Sequence, residues 1–180
     1  MKRCLFGMMV ASVCMQAATT FQLTPSGVVS GTPGSTVGWG FTLTNTSNYF
    51  VVTGASFTPT SLYGTFQDYI STGPLIVVGP SPESTSVSEI FNAAAHTGVG
   101  AFRINSTAPS TLHINGNIVL DYSVFSQDPN DPNFNPDTST VVADATITAP
   151  AAVNVTPEPA SLLLLGVGML GVFGVGRRAQ

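Results

Sequence analysis

The sequence predicts an all-β fold, a single antiparallel two-sheet β-sandwich, and three observations predict it. Val37, Trp39, Phe41 and Leu43 alternate with Gly38, Gly40 and Thr42, the period-two pattern of a strand with one buried and one solvated face. A longer alternation runs through Leu112, Ile114, Gly116, Ile118, Leu120, Tyr122 and Val124. Elsewhere short apolar runs are separated by Pro and Gly, and no segment sustains a helical period. That spacing favours short strands in two packed sheets over βαβ units.

The elements follow in chain order. Lys2 and Arg3 precede an apolar run over 5–15, and Ala17 and Ala18 follow it. This is the layout of a secretory signal helix over 1–18, cleaved after Ala17 or Ala18. The run is too short to span a bilayer, which needs about 20 apolar residues. Strands are then expected at 20–24, 37–43, 49–57, 75–78, 84–91, 98–104, 112–125, 140–148 and 151–156, forming an immunoglobulin-like domain over 19–154. Asn115-Gly116 is either a hairpin turn or a bulge, and the unbroken alternation on both sides favours one long strand over 112–125. A competing helix would start at the capping-box sequence Ser86 to Glu89 and end near Ala93–Ala95, but the Ser and Val content there favours a strand.

Cys4 and Cys14 are the only cysteines, and both fall in the segment expected to be removed. The exported domain then has neither disulfide nor thiolate, so it depends on a hydrophobic core. Between residues 19 and 156 the one cation is Arg103, against eight carboxylates, a net charge of −7. Such a surface repels phosphate backbones, and no nucleic-acid partner is expected.

Composition changes after Asn154. Thr156-Pro157-Glu158-Pro159 leads into seventeen uncharged residues, 160–176, and then Arg177-Arg178. A helix over 160–176 is about 25 Å long at 1.5 Å per residue, enough to cross with modest bilayer thinning. The two arginines suit its cytoplasmic end. In this order and spacing, residues 155–180 closely resemble the PEP-CTERM sorting signal. The resemblance implies a processing partner, a membrane-embedded exosortase, with Pro157, Glu158 and Pro159 as the recognition motif and Arg177 and Arg178 closing the signal. It further implies that the helix holds the chain in the cytoplasmic membrane only until it is cut away. The product would pass to the cell surface or an extracellular matrix, where polysaccharide is a candidate partner. There is no LPxTG-type motif, and a GPI signal would not end in Arg-Arg.

Catalytic chemistry finds little support. His96 and His113 are the only histidines, the first in an expected loop and the second on the polar face of its strand. Neither a G-x-S-x-G elbow nor an H-E-x-x-H pair occurs. Eight carboxylates could supply a glycosidase pair, but their spacing singles out none. No cofactor is expected, with one exception to weigh. In the segment 128–137, Asp131, Asn133, Asn135 and Asp137 place side-chain oxygens at every second residue, a rhythm that can wrap Ca²⁺. The alternative is a rigid turn whose side chains cap their own backbone. N-x-S/T triplets begin at Asn45, Asn105 and Asn154, and chance explains them in a chain this rich in Ser, Thr and Asn. The expected role is therefore a non-catalytic surface or matrix component. A carbohydrate- or protein-binding module and a secreted carboxylate-dependent hydrolase are the alternatives; exposure of Tyr49, Tyr63, Tyr69 and Phe134 bears on the first of these.

Overall fold

The structure, a computed structural model, describes residues 19–80, 82 and 85–158. The expected signal helix at 1–18 and the expected membrane helix at 160–176 lie outside these residues, as do Pro159, Arg177 and Arg178. Among the described residues no helix is long and apolar enough to cross a membrane.

Among the described residues ten strands make two sheets. They are β1 (Thr20–Thr24), β2 (Val28–Gly31), β3 (Thr36–Thr44), β4 (Tyr49–Thr58), β5 (Gly64–Asp68), β6 (Ile76–Val78), β7 (Ser86–Glu89), β8 (Gly100–Ile104), β9 (His113–Phe125) and β10 (Thr140–Val155), with a single helical turn, α1 (Pro136–Ser139), before the last strand. One sheet runs β1-β3-β8-β5, with β7 also paired to β3; the other runs β2-β10-β9-β4-β6. Every pairing is antiparallel except β2 with β10. The expectation of a purely antiparallel sandwich is corrected at that one edge.

β3 carries the centre of the core. Trp39, Phe41 and Leu43 are fully buried, and the Trp39 ring stacks on Phe57 of β4 at 5.9 Å between centroids. Its indole Nε1–H donates to the Gly27 carbonyl at 3.0 Å, so the polar edge of the ring keeps a partner where water is excluded. The alternation in β3 therefore reads the inner face correctly. The outer face differs from expectation, because Gly38 and Gly40 are buried too. An excursion between β7 and β8, closed by Asn92 pairing with Thr97, folds back over this face. A Cβ on Gly38 would lie 2.3 Å from the Phe91 ring, and one on Gly40 would lie 2.3 Å from the Glu89 carbonyl oxygen. The glycines exist to admit that cover.

β9 is one strand, with Gly116 opposite Ala151 in regular register. Gly116 marks neither a turn nor a bulge. It faces Phe57, whose ring would be 2.7 Å from any Cβ placed there. Strands expected at 140–148 and 151–156 are continuous as β10, although Pro150 lies between them. Pro150 opposes Asn117, a position that asks no N–H of it. The competing helix near 86–95 is replaced by β7 and a turn. Two strands escaped the sequence reading, β2 and β5. Both are short and lie at sheet edges, where one or two apolar residues leave no period to detect.

Candidate functional site

Three places can be built from the residues up: the junction with the tail, the Asp/Asn loop, and a polar groove on the first sheet.

At the junction, β10 is locked into the core almost to its last residue. Val153 is fully buried and Val155 is 2% exposed. Val155 N–H donates to Leu112 O at 2.8 Å, Thr111 N–H donates to Val155 O at 2.7 Å, and Thr156 N–H donates to Gly31 O at 2.8 Å. Pro157 then has no N–H to donate, so the ladder stops. Thr156, Pro157 and Glu158 are exposed. A rigid strand thus passes into an accessible extended segment within two residues.

The Asp/Asn loop joins β9 to β10. Asp128 Oδ1 accepts from Asn130 N–H at 2.8 Å, Asp131 Oδ1 accepts from Asn133 N–H at 2.8 Å, and Asn135 Oδ1 accepts from Asp137 N–H at 3.0 Å. These are successive side-chain turns, the last of which caps α1 with Pro136 in its first turn. The hydrogen bond from the Asn133 backbone holds the Asp131 carboxyl below its ordinary pKa; desolvation opposes it, and the side chains of Asn133 and Gln127 add smaller lowering contributions. Phe134 packs edge-on against Phe125 at 5.1 Å. Of the four residues considered for Ca²⁺, Asp131 and Asn135 use an oxygen on the loop's own backbone, and Asn133 donates its side-chain amide to Asp131. Among the described residues no group of three or more His, Cys, Asp or Glu side chains is placed to hold a metal ion.

Two carboxylates approach one another at a place the sequence did not suggest. Asp68 and Asp121 flank Gly54, each with an oxygen 3.5 Å from where a Gly54 Cβ would stand. Asp68 is already occupied: it accepts from Ala55, Ile70 and Ser71 N–H groups at 3.1, 2.7 and 3.3 Å. Its job is to fix the turn after β5. His113 pairs with Asn154 across the ladder at 2.7 Å, and His96 stacks over Tyr69 at 4.8 Å. Of the four aromatics considered for binding, Tyr69 is buried and Tyr63 is 39% exposed, while Tyr49 and Phe134 are half-buried.

The groove lies across β3, β8 and β5. Thr36, Thr65, Gln67, His96, Ala101 and Arg103 are among the residues that line it, and its volume is about 520 Å³. Arg103 is exposed, opposite Thr36 on one neighbour and Thr65 on the other. Among the described residues it is the only charged one lining this groove.

No curated protein matches the chain. Among solved structures, WR4, a C. elegans MSP family member, aligns with a TM-score of 0.37 at 10% identity, over 76% of this chain and 97% of that one. A chain from the CaDoc0917–CaCohA2 complex aligns with a TM-score of 0.32 at 19% identity, over 77% and 100%. A family match falls instead on the tail, where residues 155–178 fit the PEP-CTERM protein-sorting motif. The match begins on Val155, the last residue of β10, and includes Pro157, Glu158, Pro159, Arg177 and Arg178. The chain carries a PEP-CTERM protein-sorting motif, which marks it for export to the cell envelope or surface and for processing by an exosortase.

Proposed function

We propose that this protein is a non-catalytic component of the cell surface or extracellular matrix, with three parts: a signal peptide at 1–18, a β-sandwich ectodomain at 19–154, and a sorting tail at 155–180. The tail holds the exported domain in the cytoplasmic membrane through 160–176, and an exosortase releases it at or near Pro157-Glu158-Pro159. The observation that supports this most is the junction. Val155 belongs to the core, whereas Pro157 and Glu158 are exposed, so a processing enzyme meets an accessible peptide with a folded product on one side. The test is fractionation of the native host expressing either the wild-type chain or a variant with Pro157, Glu158 and Pro159 changed to Ala. The variant should accumulate at full length in the membrane fraction. Equal release of both forms would refute the assignment.

A second reading, a binding module, draws on the groove. The Arg103 guanidinium, flanked by Thr hydroxyls and the Gln67 amide, suits a carboxylated sugar, since Arg binds carboxylate bidentately while hydroxyls and amides meet sugar hydroxyls. An acidic polysaccharide is the partner this chemistry favours. Titration with uronic-acid oligosaccharides should give saturable binding that Arg103→Ala removes; binding unchanged in that variant would dismiss the groove.

A further inference from the structure

The sandwich is electrically polarised along its strands, and the tail leaves from one particular end. That end is formed by the turn after β2 (32–35), the turn before β5 (59–63), the connection from β8 to β9 (105–112), and residues 156–158. Hydrogen bonds tie these together: Thr156 to Gly31, Thr111 to Val155, Gly34 to Ile104, and Asn105 to both Tyr63 and Leu62. Apart from Glu158 in the tail itself, these segments contain no charged residue. The one cation of the domain, Arg103, lies two residues from the 105–112 connection. Asp128, Asp131 and Asp137 lie on the β9–β10 connection at the opposite end, with Asp144 beside it and Asp121 partway along β9. From His113 to Phe125, β9 spans about 40 Å at roughly 3.3 Å per residue. The acidic end is therefore several Debye lengths away from the tail end, at about 8–10 Å each.

The uncharged end also presents Leu62, 91% exposed, and Tyr63, 39% exposed, side by side. Leu62 is more exposed than any other large apolar side chain among the described residues. Covalent reach settles how far this end can be from a bilayer. Four residues, Thr156 to Pro159, separate the end of β10 from the apolar run beginning at Ala160. Fully extended, they cover about 14 Å, of which the headgroup layer takes about 5–7 Å. No more than about 10 Å remains between the folded end and the headgroups.

We propose that this end of the sandwich is a membrane-docking face, on which Leu62 and Tyr63 enter the headgroup region of the same bilayer that holds the tail. The strands then stand upright, and the acidic loop points away from anionic lipid. This rests on the reading of 160–176 as a membrane segment. Tyr suits the interface because its ring is apolar and its hydroxyl wet, and an end whose one carboxylate is Glu158 avoids most of the repulsion that a net charge of −7 would otherwise bring.

The test uses the full chain reconstituted in vesicles of phosphatidylethanolamine and phosphatidylglycerol, with brominated acyl chains as quencher. Leu62→Trp reports the docking face and Asn130→Trp reports the far loop; both sites are exposed, and the blue emission of buried Trp39 checks the fold of each. The emission that the Leu62→Trp residue adds to the constant Trp39 background should fall at least about twofold in brominated vesicles, as for an interfacial aromatic, while that added by Asn130→Trp should not change. If the protein co-floats with vesicles but both probes behave alike, docking is wrong and the anchor reading survives. If the protein does not co-float, both readings fail. A blue shift at Leu62→Trp without bromine quenching would mean burial against protein and would equally overturn docking.

Discussion

Replacing Trp39 by Ala tests the core where the most is at stake. The indole is fully buried between the two sheets. Truncating a buried Trp to Ala costs about 3–5 kcal/mol, from lost transfer energy and the cavity left behind. The stacked contact with Phe57 and the Nε1–H bond to Gly27 O are lost as well. The carbonyl is not orphaned, because Ala152 N–H also donates to it at 2.8 Å. That loss is therefore a net hydrogen bond of about 1 kcal/mol and not the full desolvation of a buried acceptor. The expected total, about 4–6 kcal/mol, rivals the whole stability of many domains, about 5–15 kcal/mol. Trp39→Phe keeps a ring against Phe57 and should cost far less, about 1–2 kcal/mol for the bond and the smaller volume. Urea unfolding followed by circular dichroism reads both variants, since neither retains the tryptophan. A Trp39→Ala cost below about 1.5 kcal/mol, the level of a mild volume change, would refute the placement of this ring.

Gly38→Ala should destabilise by about 1–3 kcal/mol through overpacking against Phe91, and Gly38→Ala combined with Phe91→Ala should recover part of that loss in the same unfolding assay. Millimolar Ca²⁺ should leave the melting midpoint where chelator leaves it, since the oxygens of Asp131 and Asn135 already serve the loop backbone; a clear rise with Ca²⁺ would restore the cation reading. The depressed pKa of Asp131 means its turn is favoured with the carboxylate ionised. Its contribution is present above the ordinary Asp titration and is lost as pH falls through the lowered folded value. In an NMR titration the Asp131 side chain should have its midpoint below that of an unstructured Asp, and a midpoint above it would contradict the hydrogen bonding described.

What the sequence made legible was set by how far each residue's fate is decided locally. The alternation through Trp39 and that through Ile118 each reflect one strand facing one core, and both strands formed where the pattern put them. The glycines of β3 could not be interpreted alone. Gly38 looks like a solvated position until Phe91, more than fifty residues later, is seen to lie on it. Gly116 likewise answers to Phe57 on another strand, and no local rule for turns or bulges applies to it. The parallel partnership of β2 with β10 joins residues near opposite ends of the described domain, and no periodicity in either segment encodes it. Arg103 was conspicuous as the one cation of its span, but its groove is assembled from three strands and required the sheet order. The tail was the reverse case, because its signal is linear: two prolines, a glutamate, an apolar run and two arginines within a single short segment.

Mass spectrometry of the mature protein from the surface of its native host tests the central claim most directly. The account predicts a chain that begins near Thr19 and ends close to Pro157-Glu158-Pro159, about 20–25 residues short of the full C-terminus by the length of a spanning segment and its flanks. A mature surface protein that still carries Arg177-Arg178 would contradict it and reduce the tail to a plain anchor.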